Sequence, residues 1–208
     1  MKDKERMNVF LDLDATVIWS GLLQKEEDSE DFYNIEENKT KARKFRFENM
    51  DGYYVIFERP GLQDFLTFLF SNFNVSVWTA ADQMYAIFII DKFIINKHPS
   101  RKINYAFFNY HVNKAFEIKS GQKDLHIIWD VYKIPGYNKN NTFIIDDNTL
   151  VFETQPDNCI IASPFTMLDK NSENDTFLID LLNKLKEMKK NKMLTIQKIN
   201  NELQLGSF

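Results

Sequence analysis

Two aspartates, Asp12 and Asp14, stand one residue apart directly behind the apolar run "NVFL". Val, Phe and Leu in succession read as a buried strand, and an ionised carboxylate is costly to bury without a partner. Their position at a strand end suggests chemistry. One carboxylate can attack phosphorus and carry the phosphoryl group as an aspartyl-phosphate. The second can protonate the leaving oxygen and then take a proton from the hydrolytic water. In that division Asp12 is the nucleophile and Asp14 the general acid/base. Thr16 completes an Asp-x-Asp-x-Thr pattern, which alone suits a turn or a helix cap equally well.

Phosphoryl transfer puts negative charge where two carboxylates already stand, so more residues are required. Mg²⁺ is the natural counter-ion, because it takes hard oxygen ligands and keeps several waters. A second acidic cluster should then follow another strand, and "NTFIIDDN" supplies Asp146 and Asp147. A hydroxyl and a lysine should hold phosphate oxygens; "VSVWTA" offers Thr79 and "GQKDL" offers Lys123. Threonine at a strand end and lysine before a helix are common, so these two gain weight only from their order in the chain. His98, His111 and His126 have no metal-ligand spacing, and Cys159 has no base partner that can be named.

Strand-like segments at residues 9–13, 53–57, 75–79, 142–146 and 159–162 place these groups at carboxyl ends. Helical patterns lie between them: one opened by Pro60 and Gly61 with Leu62, Phe65, Leu66 and Leu69 on one face, another over 82–93 capped by Asp82, a third from about Asp175. Strand–helix alternation predicts an α/β fold with a parallel sheet flanked by helices, whose ligands sit beyond the carboxyl ends. Two stretches break the alternation and read as small β insertions, about 20–57 and 103–121. The first is acidic over 26–37 and basic from Lys39 to Arg46, with Phe32, Tyr33, Phe45, Phe47, Tyr53 and Tyr54 interleaved. It reads as a partly exposed hairpin whose basic face is solvated or forms an anion-attracting rim.

The 208 residues suit one domain, with a core over about 8–190 and a helical tail over about 191–208. A net charge of −4 argues against a general nucleic-acid binder. One cysteine excludes an internal disulfide and favours a reducing compartment. "MKDKERMNVF" lacks the apolar region of a signal peptide, and the greasiest run, 85–95, is too short to span a membrane. The expectation is a soluble intracellular monomer, cytoplasmic or nuclear.

In order, "DLDAT", "ERPGLQDFL", "VSVWTAA", "KDL", "FIIDDN" and "PDN" resemble the motifs of the FCP/SCP-type phosphatases of the HAD superfamily, which act on the C-terminal repeat domain of RNA polymerase II and related phosphoproteins. The resemblance implies a HAD-like Rossmannoid sheet and an Mg²⁺-dependent serine/threonine phosphatase. Carried over by position, Asp12, Asp14, Thr79 and Lys123 are catalytic; Thr79, Ala80 and Lys123 bind the phosphoryl group. Asp12, Asp14 (through its backbone carbonyl), Asp146 and Asp147 surround the metal. Three departures stand out. Ala15 replaces the usual Glu, Thr149 and Leu150 replace Ser-Pro, and no arginine occurs in "FFNYHVNKAF" before Lys123. The implied substrate is an extended Ser-Pro phosphopeptide, with strand 53–57 forming a pocket for the proline. The alternatives are a small-molecule or polynucleotide-end phosphatase on the same fold, or an inactive phosphoprotein-binding module.

Overall fold

The computed structural model describes residues 6–23, 36–95, 98–119, 121–190 and 195–205. Five strands form one parallel sheet: β1 (Asn8–Leu11), β5 (Asn74–Trp78), β6 (Ala106–Phe107), β7 (Thr142–Asp146) and β8 (Cys159–Ile161), in the order β6-β5-β1-β7-β8. β1 sits at the centre, with Leu11 in register with Val77 on one side and Ile145 on the other. The strands are apolar throughout because both faces are covered. Val9, Leu11, Val75, Val77, Phe143 and Ile145 face one helical layer; Phe10, Trp78, Ile144 and Cys159 face the other.

The first layer holds α2 (Leu62–Asn72), α3 (Gln83–Ile89), α6 (Phe177–Lys190) and α7 (Ile196–Leu205). Asp82 caps α3 as expected, accepting the Tyr85 N–H at 3.1 Å, and the helix continues as a π-helical stretch, Ile90–Ile95. The second layer holds α4 (Asn109–Lys119), a π-helical turn Ile127–Val131 and α5 (Thr149–Thr154). α7 docks rather than frays: the buried Asn200 donates to the Cys159 carbonyl at 2.9 Å and accepts from the Ile161 N–H at 3.1 Å, covering the edge of β8.

The first insertion is a three-stranded antiparallel sheet, β2 (Ile18–Leu22), β4 (Tyr54–Glu58) and β3 (Phe47–Met50), preceded at β3 by helix α1 (Glu36–Ala42). Asp51 and Gly52, both at positive φ, close the β3–β4 hairpin. Most of the acidic run, with Phe32 and Tyr33, lies outside the described residues, as do 191–194 and 206–208 in the tail. The basic run departs from the sequence expectation. Lys39 and Lys41 lie on a helix, not on a hairpin face. Lys39 pairs with Glu36, Lys44 with Glu173 and Arg46 with Glu58, while Lys41 donates to the carbonyls of Leu168 and Asp169. Lys41 and Lys44 thus hold the protein's own 168–173 loop, while Lys39 and Arg46 are paired with acids of α1 and β4.

Residues 103–121 are also not a β insertion. β6 has two residues and joins the main sheet, and Asn109–Lys119 form α4. The segment's aromatics suggest strand, but Val112 and Ala115, three apart, put one helical face against the sheet. Among the described residues, no helix is long and apolar enough to cross a membrane.

Candidate active site

The turn after β1 does the first part of the positioning. The N–H groups of Thr16, Val17 and Ile18 all converge on the carbonyl of Leu13, at 3.3, 2.9 and 3.1 Å. Ala15 takes a left-handed backbone (φ 56°) to make this possible, and its own carbonyl accepts the Phe165 N–H at 2.7 Å. The sharp turn leaves Asp12 and Asp14 on one end of the sheet. Asp12 also stays in the ladder through its N–H to the Ile145 carbonyl, which sets it beside the end of β7.

Four carboxylates and one ammonium meet there. Lys123 Nζ donates to Asp12 Oδ1 at 2.5 Å and to Asp146 Oδ2 at 2.7 Å, with all three side chains nearly sealed from solvent. The Thr16 hydroxyl lies 3.1 Å from both Asp12 Oδ2 and Asp147 Oδ1, and it accepts the Asp147 N–H. With every carboxylate ionised, Asp12, Asp14, Asp146 and Asp147 exceed the charge of Lys123 by three. Burial raises the pKa of Asp146 and Asp147, and repulsion from Asp12 adds to it. Burial works against the Lys123 charge, but Asp12 and Asp146 outweigh it and push its pKa up. Ligand oxygens of Asp12, Asp146 and Asp147 lie within 4.8 Å of one another. Hard oxygen donors with a surplus of negative charge fit a divalent cation such as Mg²⁺.

Asp14 stands at the edge of this cluster. Burial raises its pKa to about 6 against a lowering hydrogen bond from Tyr85, with Asp12 adding to the rise. The Tyr85 hydroxyl, on α3, donates to Asp14 Oδ1 at 2.5 Å and lies 2.8 Å from the Ser20 hydroxyl. Thr79 is buried just past the end of β5; its hydroxyl accepts the Ala81 N–H at 3.1 Å and its N–H bonds the Phe107 carbonyl. Ala80 beside it is exposed. Each residue singled out from the sequence therefore falls at the carboxyl end of the sheet or in the loops beside it. A cavity of about 660 Å³ opens at the opposite end of the sheet, lined by Asn72, Phe73, Thr142 and Asn158. Charge, not volume, marks the site.

Sequence reasoning overlooked the groups that hold this arrangement together. Arg59, wholly buried, makes a bidentate pair with Asp175 at 2.8 and 2.9 Å and donates to the carbonyls of Thr16 and Ser163. The sequence marked Arg59 only as part of the Arg-Pro-Gly start of a helix, with nothing to show that its partner is Asp175. Tyr85 and Gln155 left no local signal, since each acts on a residue more than a turn away. The expected pocket strand is also largely closed: Val55, Ile56 and Phe57 are fully buried, and only its Tyr53–Tyr54 end reaches the surface.

Residues 7–195 match the NLI interacting factor-like phosphatases. The chain belongs to that family. A CTD phosphatase-like protein of Invertebrate iridescent virus 6 is 43% identical, over 85% of this chain and 97% of its own. One from Invertebrate iridescent virus 3 is 37% identical, over 91% and 100%. The fission yeast RNA polymerase II CTD phosphatase Fcp1, in a structure bound to beryllium fluoride, superposes with a TM-score of 0.53 at 20% identity. That likeness speaks for the fold, over 91% of this chain and 53% of Fcp1, so the phosphatase described here spans about half of Fcp1's length. The chain is a HAD-type phosphatase.

Proposed function

We propose that this phosphatase hydrolyses phosphoserine and phosphothreonine in protein substrates through an aspartyl-phosphate on Asp12, with Asp14 as general acid and then general base. The observation that carries the reading is the convergence of Asp12, Asp146 and Asp147, within 4.8 Å, around the ammonium of Lys123. An Asp12 oxygen attacks phosphorus as the seryl or threonyl oxygen leaves. Asp14, with a pKa of about 6, is placed to be protonated for a fraction of molecules near neutrality and to give that proton to the leaving oxygen. It then accepts a proton from the water that cleaves the aspartyl-phosphate. Lys123 and the Thr79 hydroxyl hold the phosphoryl oxygens and offset their charge.

Asp12, Asp146, Asp147 and the Asp14 carbonyl would hold Mg²⁺. When bound, the metal neutralises surplus carboxylate charge and stabilises the phosphoryl oxygens as a Lewis acid. Two viral relatives described as CTD phosphatase-like support an extended phosphopeptide substrate. So does the exposed Leu22, the cross-strand partner of Tyr54, whose ring packs on the tyrosine that donates to Asp14.

Phosphatase assays with Mg²⁺ on a Ser-Pro phosphopeptide, free phosphoserine and a sugar phosphate test the proposal. The peptide should show the highest kcat/KM, and Asp12→Asn should abolish turnover while remaining folded, since it keeps shape and loses nucleophilic charge. Normal turnover by folded Asp12→Asn would remove the nucleophile assignment. Preference for the sugar phosphate would transfer the enzyme to the small-molecule class.

A further inference from the structure

Lys123 takes an unusual backbone, and a residue from another loop bonds its carbonyl. Its φ is 48°, a left-handed conformation that L-residues avoid because Cβ crowds the following carbonyl. The ion pairs at the tip of its side chain do not set the backbone, because a four-carbon stem can reach them from several directions. The buried amide of Gln155 holds the turn that follows Lys123. Nε2 donates to the Lys123 carbonyl at 3.0 Å, and Oε1 accepts the Leu125 N–H at 2.9 Å. One planar group thus fixes the peptides on both sides of Asp124.

Gln155 is itself anchored to the strand that ends at Asp146. It follows α5, its N–H bonds the Phe152 carbonyl, and its carbonyl accepts the Asn158 N–H at 2.9 Å. The Asn158 side chain donates to the Thr142 carbonyl at 2.7 Å, at the start of β7. A second amide contact, Asn148 Nδ2 to Gln122 Oε1 at 2.8 Å, joins the start of α5 to the residue just before Lys123. Gly121 permits the close approach: a Cβ there would lie 2.7 Å from Thr154 Cγ2.

We infer that Gln155 is a positioning residue, which sets the Lys123 ammonium between Asp12 and Asp146 by clamping the turn that carries it. A glutamine that only satisfied buried peptides would affect stability alone. A positioning one also releases Lys123 when it is removed, because the turn can then relax to a right-handed backbone and swing the side chain away. The consequence for turnover rests on the phosphatase mechanism proposed above; the placement of Lys123 does not.

The test is amine acetylation of the folded protein, read at each lysine by mass spectrometry, with exposed Lys186 as internal reference. In the unaltered chain Lys123 should resist. In Gln155→Met, which keeps the volume and loses both hydrogen bonds, Lys123 should react about tenfold faster or more, and kcat/KM for a phosphomonoester should fall by a similar factor. Gln155→Glu still accepts from Leu125 but turns an oxygen instead of a donor toward the Lys123 carbonyl, so it should also free Lys123; it carries the comparison if the Met variant does not fold. Unchanged Lys123 protection in a folded variant overturns the inference, whatever turnover does. An unaltered protein without turnover would count against the phosphatase mechanism and leave the acetylation comparison standing.

Discussion

The Tyr85 hydroxyl meets Asp14 Oδ1 at 2.5 Å, from a ring packed edge-on against Tyr54 at 5.3 Å between centroids. A residue on α3 therefore aims the proposed general acid, and the contact between the two tyrosines ties that aim to the antiparallel sheet. Tyr85→Phe keeps the packing and removes the aim. For a seryl phosphopeptide, whose leaving alkoxide needs a proton, kcat should fall roughly a hundredfold. Para-nitrophenyl phosphate needs no such proton and should lose much less. Equal losses on the two substrates would reduce Tyr85 to a packing residue.

Metal dependence follows from the charge imbalance at the strand ends. EDTA should stop turnover and Mg²⁺ restore it, and beryllium fluoride should inhibit by standing in for phosphate on Asp12. Asp147→Ala leaves the Lys123 pairs with Asp12 and Asp146 in place but removes one carboxylate from the metal group. It should raise the half-activating Mg²⁺ concentration roughly tenfold or more. Full activity after thorough chelation would show that Lys123 alone balances the charge.

The raised carboxylate pKa values also make a statement about stability. A carboxylate lifted above its unfolded value holds its proton longer in the folded state, so the native protein binds more protons over that interval. The stability it contributes is present below the unfolded pKa of 3.8 and is lost as pH rises through about 6, the folded value for Asp14. Without metal, therefore, Asp14→Asn should melt higher than the unaltered protein at pH 7, by on the order of 1–2 kcal/mol, and differ little at pH 4. Mg²⁺ should raise the Tm of the unaltered protein more at pH 7 than at pH 5, because it binds the ionised groups. A pH-independent gap between the two proteins would mean that Asp14 is not strained by ionisation.

Most of the candidate site was legible because its residues follow hydrophobic strands, and parallel strands bring their carboxyl ends together whatever lies between them. Asp12 and Asp146 needed only that rule, while Thr79 also needed its place in the order of motifs. Lys123 does not follow a strand; its place depended on motif order, and the turn after it is held by Gln155, more than thirty residues away. The basic run misled for the same kind of reason: nothing near Lys41 or Lys44 announces that residues 168–173 will take them. In 103–121 the abundance of aromatics outweighed the three-residue spacing of Val112 and Ala115, so a helix read as strand.

Arg59 offers the sharpest test of how far the scaffold reaches into the site. Its guanidinium binds both oxygens of Asp175, which in turn accepts the Phe177 N–H at the start of α6. It also stacks on Phe177 at 4.6 Å and holds the Thr16 carbonyl at 3.0 Å. Thr16 is the residue whose hydroxyl lies between Asp12 and Asp147, so one cation links α6 to the turn that carries the proposed nucleophile. Lysine cannot reproduce this planar fork, and breaking a buried pair typically costs about 3–5 kcal/mol. Arg59→Lys should accordingly lose roughly 3 kcal/mol in urea unfolding and lower kcat even where it remains fully folded. Gly61→Ala, two residues on, is the control for α6 docking: a Cβ at its φ of 80° would meet Ile179 Cγ1 at 2.9 Å, without touching the Thr16 carbonyl. It should destabilise yet leave kcat of the folded fraction close to normal. If the folded fractions of both variants turn over normally, Arg59 serves the docking of α6 and the turn at Thr16 holds itself.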